Sequence, residues 1–174
     1  MIVLVLGGTR SGKSAVAEAM AARLAGTGGE VTYVATARLD PSDADHAARI
    51  DAHRRRRPEH WTTVECAEPG ALPPALRDAD GVVLLDSLGT WVAGHPDLDP
   101  DPVPLVDALR ARSGTTVVVS EEVGLALHAT TDVGRRFVDA LGEVNRAVSA
   151  VADHAVLVVA GRAIELPPPG ELPC

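Results

Sequence analysis

Short runs of Val, Ile, Leu and Thr recur along the chain at residues 2–6, 31–36, 62–66, 82–86, 115–120 and 155–160. Their apolar positions are continuous and do not alternate with polar ones, the pattern of strands buried on both faces of a parallel sheet. Between them lie stretches of helical periodicity at residues 12–25, 42–57, 103–112 and 133–151. In the last of these, Phe137, Leu141, Val144, Val148 and Val151 fall on one side of the helix. Alternating strands and helices predict an α/β fold of three layers, with helices on both faces of a mostly parallel central sheet. Any ligand is then expected beyond the carboxyl ends of the strands. Residues 162–166 follow Gly161 closely enough to turn back as a short antiparallel edge strand. The Asp- and Pro-rich stretch 94–104 reads as a mobile loop, and residues 167–174 read as an extended Pro-rich tail. Residues 1–166 are then one domain, as the length of 174 residues leads one to expect.

Composition narrows the ligand. Two Trp, one Tyr and one Phe are the whole aromatic complement, too few rings to stack on the bases of single-stranded nucleic acid. A formal net charge of -8 opposes a phosphate backbone or an anionic membrane surface, and the one basic cluster, Arg54 to Arg57, is too short to reverse that field. Small molecules are therefore the expected partners, with no nucleic acid and no membrane. No apolar run approaches the roughly 20 residues needed to span a bilayer, and the chain enters its first buried strand without a basic leader. Cys66 and Cys174 have no metal-ligand spacing and imply neither a disulfide framework nor a zinc site. These features lead us to expect a cytoplasmic protein in a reducing compartment.

The strongest local signal is Gly7-Gly8-Thr9-Arg10-Ser11-Gly12-Lys13-Ser14, which satisfies GxxxxGK[ST] between a buried strand and a helix, where a phosphate-binding loop has to lie. The glycines let backbone N–H groups turn inward around phosphate oxygens, and the helix offers its positive end. Lys13 is placed to reach the outer phosphates, and the Ser14 hydroxyl to coordinate Mg²⁺. Among 16 Lys and Arg residues Lys13 is the single lysine, so a composition that otherwise uses Arg throughout keeps a compact ammonium at this one position. The motif makes the expected fold P-loop NTPase-like, and the expected ligand a magnesium nucleoside triphosphate.

Two further groups admit two readings each. Asp86 ends the apolar strand 82–86, the usual setting for a carboxylate that holds magnesium through water, and equally the setting of an ordinary strand-ending or helix-capping Asp. His46, Arg49, Ile50 and His53 share one helical face ahead of Arg54-Arg55-Arg56-Arg57-Pro58. An imidazole there can attack phosphorus while arginines neutralise phosphate charge. Alternatively the segment is a solvated basic helix end stopped by Pro58. Read from residues alone, a triphosphate-dependent transferase, a kinase without the histidine chemistry, and a nucleotide-dependent regulatory module all remain open.

Motif order and spacing narrow the choice. GGTRSGKS at the start, YVATA at Tyr33 to Ala37, RIxxH at Arg49 to His53 and RPxxWxTxE at Arg57 to Glu65 are followed by LLDSLGTWV at Leu84 to Val92. EVGL at Glu122 to Leu125, RRFxDxLGxxN at Arg135 to Asn145 and VLVVAG at Val156 to Gly161 complete the series. Over residues 2–166 the chain resembles the bifunctional adenosylcobinamide kinase / adenosylcobinamide-phosphate guanylyltransferase family of cobalamin biosynthesis. The resemblance implies phosphorylation of the aminopropanol hydroxyl of adenosylcobinamide with ATP or GTP, then transfer of GMP from GTP to that product. It implies that His53 becomes guanylylated, and that Ala35, Thr36, Ala37, Arg54, Arg55, Arg56, Arg57 and Glu65 line the nucleotide site. A corrinoid and a nucleoside triphosphate become the expected partners. The resemblance also implies a homo-oligomer, a trimer being the form in view, with the His53 helix near a neighbouring subunit's loop.

The chain departs from that pattern at several points. Ala52 stands where some members carry a second histidine, which leaves His53, with His46 as the alternative on the same face. Glu121 replaces the more usual Asn of SNEVG, Leu127-His128-Ala129-Thr130 replaces IVPE, and Gly94 replaces an Asn. These changes fall at positions open to the corrinoid. Trp61 and Trp91 are expected to pack and His60, His95, His128 and His154 to be structural or surface residues.

Overall fold

A computed structural model of the chain describes residues 1–37, 57–125, 128–168 and 170. Among these residues seven strands form one sheet: β1 (Ile2–Gly7), β2 (Val31–Ala35), β3 (Thr62–Glu65), β4 (Val82–Asp86), β5 (Thr116–Glu121), β6 (His154–Val159) and β7 (Arg162–Glu165). Their order is β3-β2-β4-β5-β1-β6-β7. Every neighbouring pair is parallel except β6 and β7, where the chain turns at Ala160 and Gly161 and pairs back antiparallel. The edge strand expected from sequence is therefore present. β4 coincides with the expected strand 82–86, and the ends of the others differ from the sequence-based ones by at most one residue.

Among the described residues the α-helices between them are α1 (Lys13–Ala25), α2 (Leu72–Asp78), α3 (Leu88–Ala93), α4 (Val103–Ala111) and α5 (Asp132–Ser149). Alternate residues of each buried strand face opposite layers. Val3, Val5, Leu84, Val117 and Val119 pack with Ala17 and Ala21 of α1 on one face. Leu4, Leu6, Leu85 and Val118 pack on the other with Leu72 and Leu76 of α2, Leu88 and Trp91 of α3, Leu105 and Leu109 of α4 and Leu141, Val144 and Val148 of α5. The result is the three-layer α/β arrangement that the continuous apolar strands predict.

Two short helices, α2 and α3, were not foreseen. Seven and six residues are too few for an amphipathic period to stand out, and α3 is mostly buried, so its apolar run LGTWVA reads like the end of a strand. Its start is set by a reciprocal cap, in which the Ser87 side chain accepts from Thr90 N and the Thr90 hydroxyl bonds back. The cap is thus Ser87 and not Asp86. The stretch 94–104, read as a mobile loop, holds a 3-10 turn at Pro96–Leu98, and Arg136 of α5 donates to the carbonyl of Asp97. Arg112, just past α4, donates to the carbonyls of Leu76, Ala79 and Gly81 and to Thr116 Oγ1, tying the turn before β4 to the start of β5. The helix expected over residues 42–57 falls almost wholly outside the described residues. Among those described, no helix is long and apolar enough to cross a membrane.

Candidate functional site

The connections on either side of β1 run in opposite directions along the sheet: α1 leads from β1 over one face towards β2, and α5 later crosses the other face from β5 to β6. A crevice opens where such connections diverge, at the carboxyl end of β1. There Gly7 lies in register with Glu121 of β5 and Val158 of β6. A Cβ on Gly7 would overlap Ser11 Oγ and the Val158 carbonyl. Arg10 and Gly12 take left-handed conformations, with φ of 59° and 92°, and fold the loop back over the strand. Ser11 N donates to Gly8 O at 3.2 Å, and Gly161 N braces the loop from the β6–β7 turn by donating to Ser11 O at 2.7 Å. Thr9 and Arg10 are exposed at the tip, while Ser11, Gly12, Lys13 and Ser14 are half-buried. α1 starts with no side-chain cap and no acidic residue in its first turn, so its positive end faces the loop uncompensated by either.

Lys13 folds back over this loop. Its Nζ lies 3.5 Å from Gly8 O and 3.5 Å from Glu121 Oε1, both at the outer limit of a hydrogen bond, so the ammonium is held electrostatically and is free to shift onto an arriving phosphate. The second oxygen of Glu121 accepts from Gly89 N at 3.0 Å and from Ser87 Oγ at 3.2 Å. A Cβ at Gly89 would overlap that carboxylate. Glu121 therefore joins the loop lysine to the first turn of α3. Sequence reasoning set it among the departures at corrinoid positions. The usable signal was its place as the last residue of β5 opposite Gly7, which is legible once β5 is known to flank β1.

Asp86 closes β4 beside Ala35 of β2. Tyr33 Oη donates to Asp86 Oδ2 at 2.5 Å. Burial first, then the charge of Asp86 and this hydrogen bond, push the Tyr33 hydroxyl far above the ordinary tyrosine range, so it is a donor at neutral pH. Thr36 is buried, with its hydroxyl donating to Ser87 O at 2.6 Å, accepting from Ser87 N at 3.0 Å and lying 2.6 Å from Thr90 Oγ1. Its side chain thus locks the end of β2 to the start of α3, and Ala35 and Ala37 flank that joint.

Beside this lies a second cavity of about 410 Å³, lined by Arg57, Pro58, Glu59, Trp61, Thr63 and Glu65. Arg57 spreads its guanidinium over the Tyr33 ring, with Cζ 3.2 Å from the centroid, and donates to Thr63 Oγ1 at 3.4 Å. The structure so brings together Arg57 and Glu65 of the expected nucleotide-site residues. His53, Arg54, Arg55 and Arg56, with the alternative His46, lie outside the described residues. Trp61 and Trp91 are buried, Trp91 with its indole N–H on Pro69 O, which is the packing role expected of them. His60 and His128 are exposed, His95 stands edge-on to Trp91, and His154 pairs with Glu165. Among the described residues, no three His, Cys, Asp or Glu side chains gather into a metal cage.

The family model described as cobinamide kinase / cobinamide phosphate guanyltransferase matches residues 3–166. The bifunctional adenosylcobalamin biosynthesis protein CobP of Pseudomonas aeruginosa is 37% identical over 97% of this chain and 97% of its own length. The bifunctional adenosylcobalamin biosynthesis protein CobU of Escherichia coli (strain K12) is 35% identical over 95% of this chain and 99% of its own. Among solved structures, the flagellar accessory protein FlaH of Methanocaldococcus jannaschii superposes with a TM-score of 0.54 at 13% identity, covering 95% of this chain and 77% of that one. An ATPase of a bacterial type III secretion system gives 0.56 at 11% identity, covering 94% and 56%. At such identities the two structures speak for the fold alone.

Proposed function

The chain belongs to the cobinamide kinase / cobinamide phosphate guanyltransferase family, and from that premise we propose that it phosphorylates adenosylcobinamide with ATP or GTP and then transfers GMP from GTP to the product by way of a guanylylated His53. The observation that carries the reading is the loop Gly7 to Ser14 closing over the end of β1, with the chain's single lysine folded across it. In the first reaction the loop amides hold the triphosphate, Lys13 leaves Glu121 for the outer phosphates, and the corrinoid hydroxyl forms its O–P bond as the β–γ bridge breaks, releasing the nucleoside diphosphate and the hydroxyl proton. In the second, the neutral imidazole of His53 attacks the α-phosphorus of GTP and pyrophosphate leaves. The cobinamide phosphate then displaces the histidine, breaking the N–P bond. Arg54 to Arg57 balance the phosphate charge, and Glu65 borders the same cavity as Arg57.

The donors near the loop fit magnesium: the Ser14 hydroxyl and the Asp86 carboxylate are hard oxygens, and an ion that draws most of its ligands from phosphates and water needs no closed protein cage. Bound with the triphosphate, Mg²⁺ would offset charge on the leaving oxygens. We place both activities in one domain, residues 1–166, followed by a tail, and we expect a cytoplasmic homo-oligomer, a trimer being the form in view, whose partners are the corrinoid and nucleoside triphosphates.

Incubation with α-labelled GTP and Mg²⁺ should leave acid-labile, base-stable label on the protein that is lost in His53→Ala. With ATP and GTP supplied, adenosylcobinamide should be converted to its GDP derivative. An unlabelled intact protein would remove the covalent step, and an unconverted corrinoid would remove the whole reading.

A further inference from the structure

Tyr33 stands between two groups that the proposed reactions use at different steps. It lies on β2, in register with Leu84 of β4 on one side and Thr63 of β3 on the other, and its ring is 2% exposed. Its hydroxyl reaches Asp86 at the phosphate-loop end of the sheet, and its ring face carries Arg57 at the wall of the second cavity. Arg57 Nε is buried and finds no hydrogen-bond acceptor among the described residues. The contacts that orient this guanidinium among those residues are therefore the ring face and the 3.4 Å hydrogen bond to Thr63.

We propose that Tyr33 is a positioning residue shared by both halves of the site: its hydroxyl orients the Asp86 carboxylate towards the metal-bound triphosphate, and its ring holds Arg57 at the wall of the second cavity. The inference rests on the reading of Asp86 and Arg57 as nucleotide-binding groups. The electrostatics of the ring favour the arrangement. A cation over the π face withdraws electron density and makes the phenol a better donor, while an anion at the hydroxyl returns density to the face beneath the cation. Each contact strengthens the other, and the residue that makes both is itself buried. The side chain is also divisible, since the hydroxyl and the ring can be removed one at a time.

The test uses the full chain. Mn²⁺ replaces Mg²⁺ so that free metal can be counted by electron paramagnetic resonance in the presence of ATP, and GTP binding is measured separately by calorimetry in EDTA. Tyr33→Phe should weaken Mn²⁺ binding by about tenfold, the scale of one lost hydrogen bond to a charged group. It should change metal-free GTP binding much less than Mn²⁺ binding and lower the melting temperature by no more than a few degrees, and kinase kcat should return at high metal. Tyr33→Leu should in addition weaken metal-free GTP binding, and Tyr33→Leu with Arg57→Ala should bind no more weakly than Arg57→Ala alone. If the leucine variant does not fold, the same logic runs through Asp86: Tyr33→Phe with Asp86→Asn should bind Mn²⁺ no more weakly than Asp86→Asn alone. Wild-type Mn²⁺ affinity in Tyr33→Phe, with Asp86→Asn impaired, would overturn the role of Tyr33 and leave Asp86 in place. Wild-type affinity in Asp86→Asn would overturn the reading of Asp86 and the inference with it.

Discussion

At the scale of single residues, the phosphate loop contains a competition. Lys13 is needed by an incoming triphosphate, yet in the structure its ammonium leans on Glu121. Lys13→Ala should reduce ATP and GTP affinity on the order of a hundredfold, because a charge-assisted contact is lost with nothing to replace it. Glu121→Gln should act in the opposite direction. The amide oxygen can still accept from Gly89 N and Ser87 Oγ, while the charge that holds the lysine back is gone, so triphosphate should bind severalfold more tightly. Calorimetric titration of the two variants checks both signs, and weaker binding by Glu121→Gln would show that the carboxylate helps hold the nucleotide. Cys66 gives a prediction in pH. Burial pushes its thiol up, so the folded state holds that proton more tightly than the unfolded chain does. Its contribution to stability is full below the unfolded value of about 8.5 and is lost as pH rises through the higher folded value. Denaturant midpoints measured from pH 7.5 upwards should fall less steeply for Cys66→Ala than for the parent protein.

At the scale of elements, what was legible followed from burial. β1, β4 and β5 are apolar because both faces are covered, and α5 shows its periodicity because it is long and lies on the surface. α2 and α3 were hidden for the opposite reasons, being short and pressed into the core. The joint between β2 and α3, made by Thr36, Ser87 and Thr90, escaped reading because its partners are about fifty residues apart in sequence. The Asn that ends the RRFxDxLGxxN motif now has a physical reason. Asn145 Oδ1 accepts from Ser120 Oγ at 2.5 Å, and its Nδ2 donates to Glu121 O at 3.0 Å, so α5 grips the end of β5 just where the Lys13 partner emerges. Asn145→Leu should destabilise the fold by about 1–3 kcal/mol, the range for stranding a buried polar partner, read as a lowered urea midpoint. Because the same change loosens the backbone of Glu121, ATP affinity should shift along with stability.

For the molecule as a whole, the fold class and the phosphate loop could be read from the sequence because each is a local pattern repeated or punctuated in order. Strand order could not, and with it went the identity of the groups beside the loop: Glu121, Tyr33 and the Gly161 turn reach the site only through sheet neighbours distant in the chain. The second cavity was legible in part, since Arg57 and Glu65 belong to one motif and line one wall. The position of β1 has a further consequence for synthesis. β1 is made before β5 and β6, which flank it in the finished sheet, and before the turn at Gly161 that braces its loop. A growing polypeptide cannot close the triphosphate cradle around β1 until β5, β6 and the Gly161 turn have emerged, so nucleotide is no help to the early stages of folding this domain and can reward only the last one.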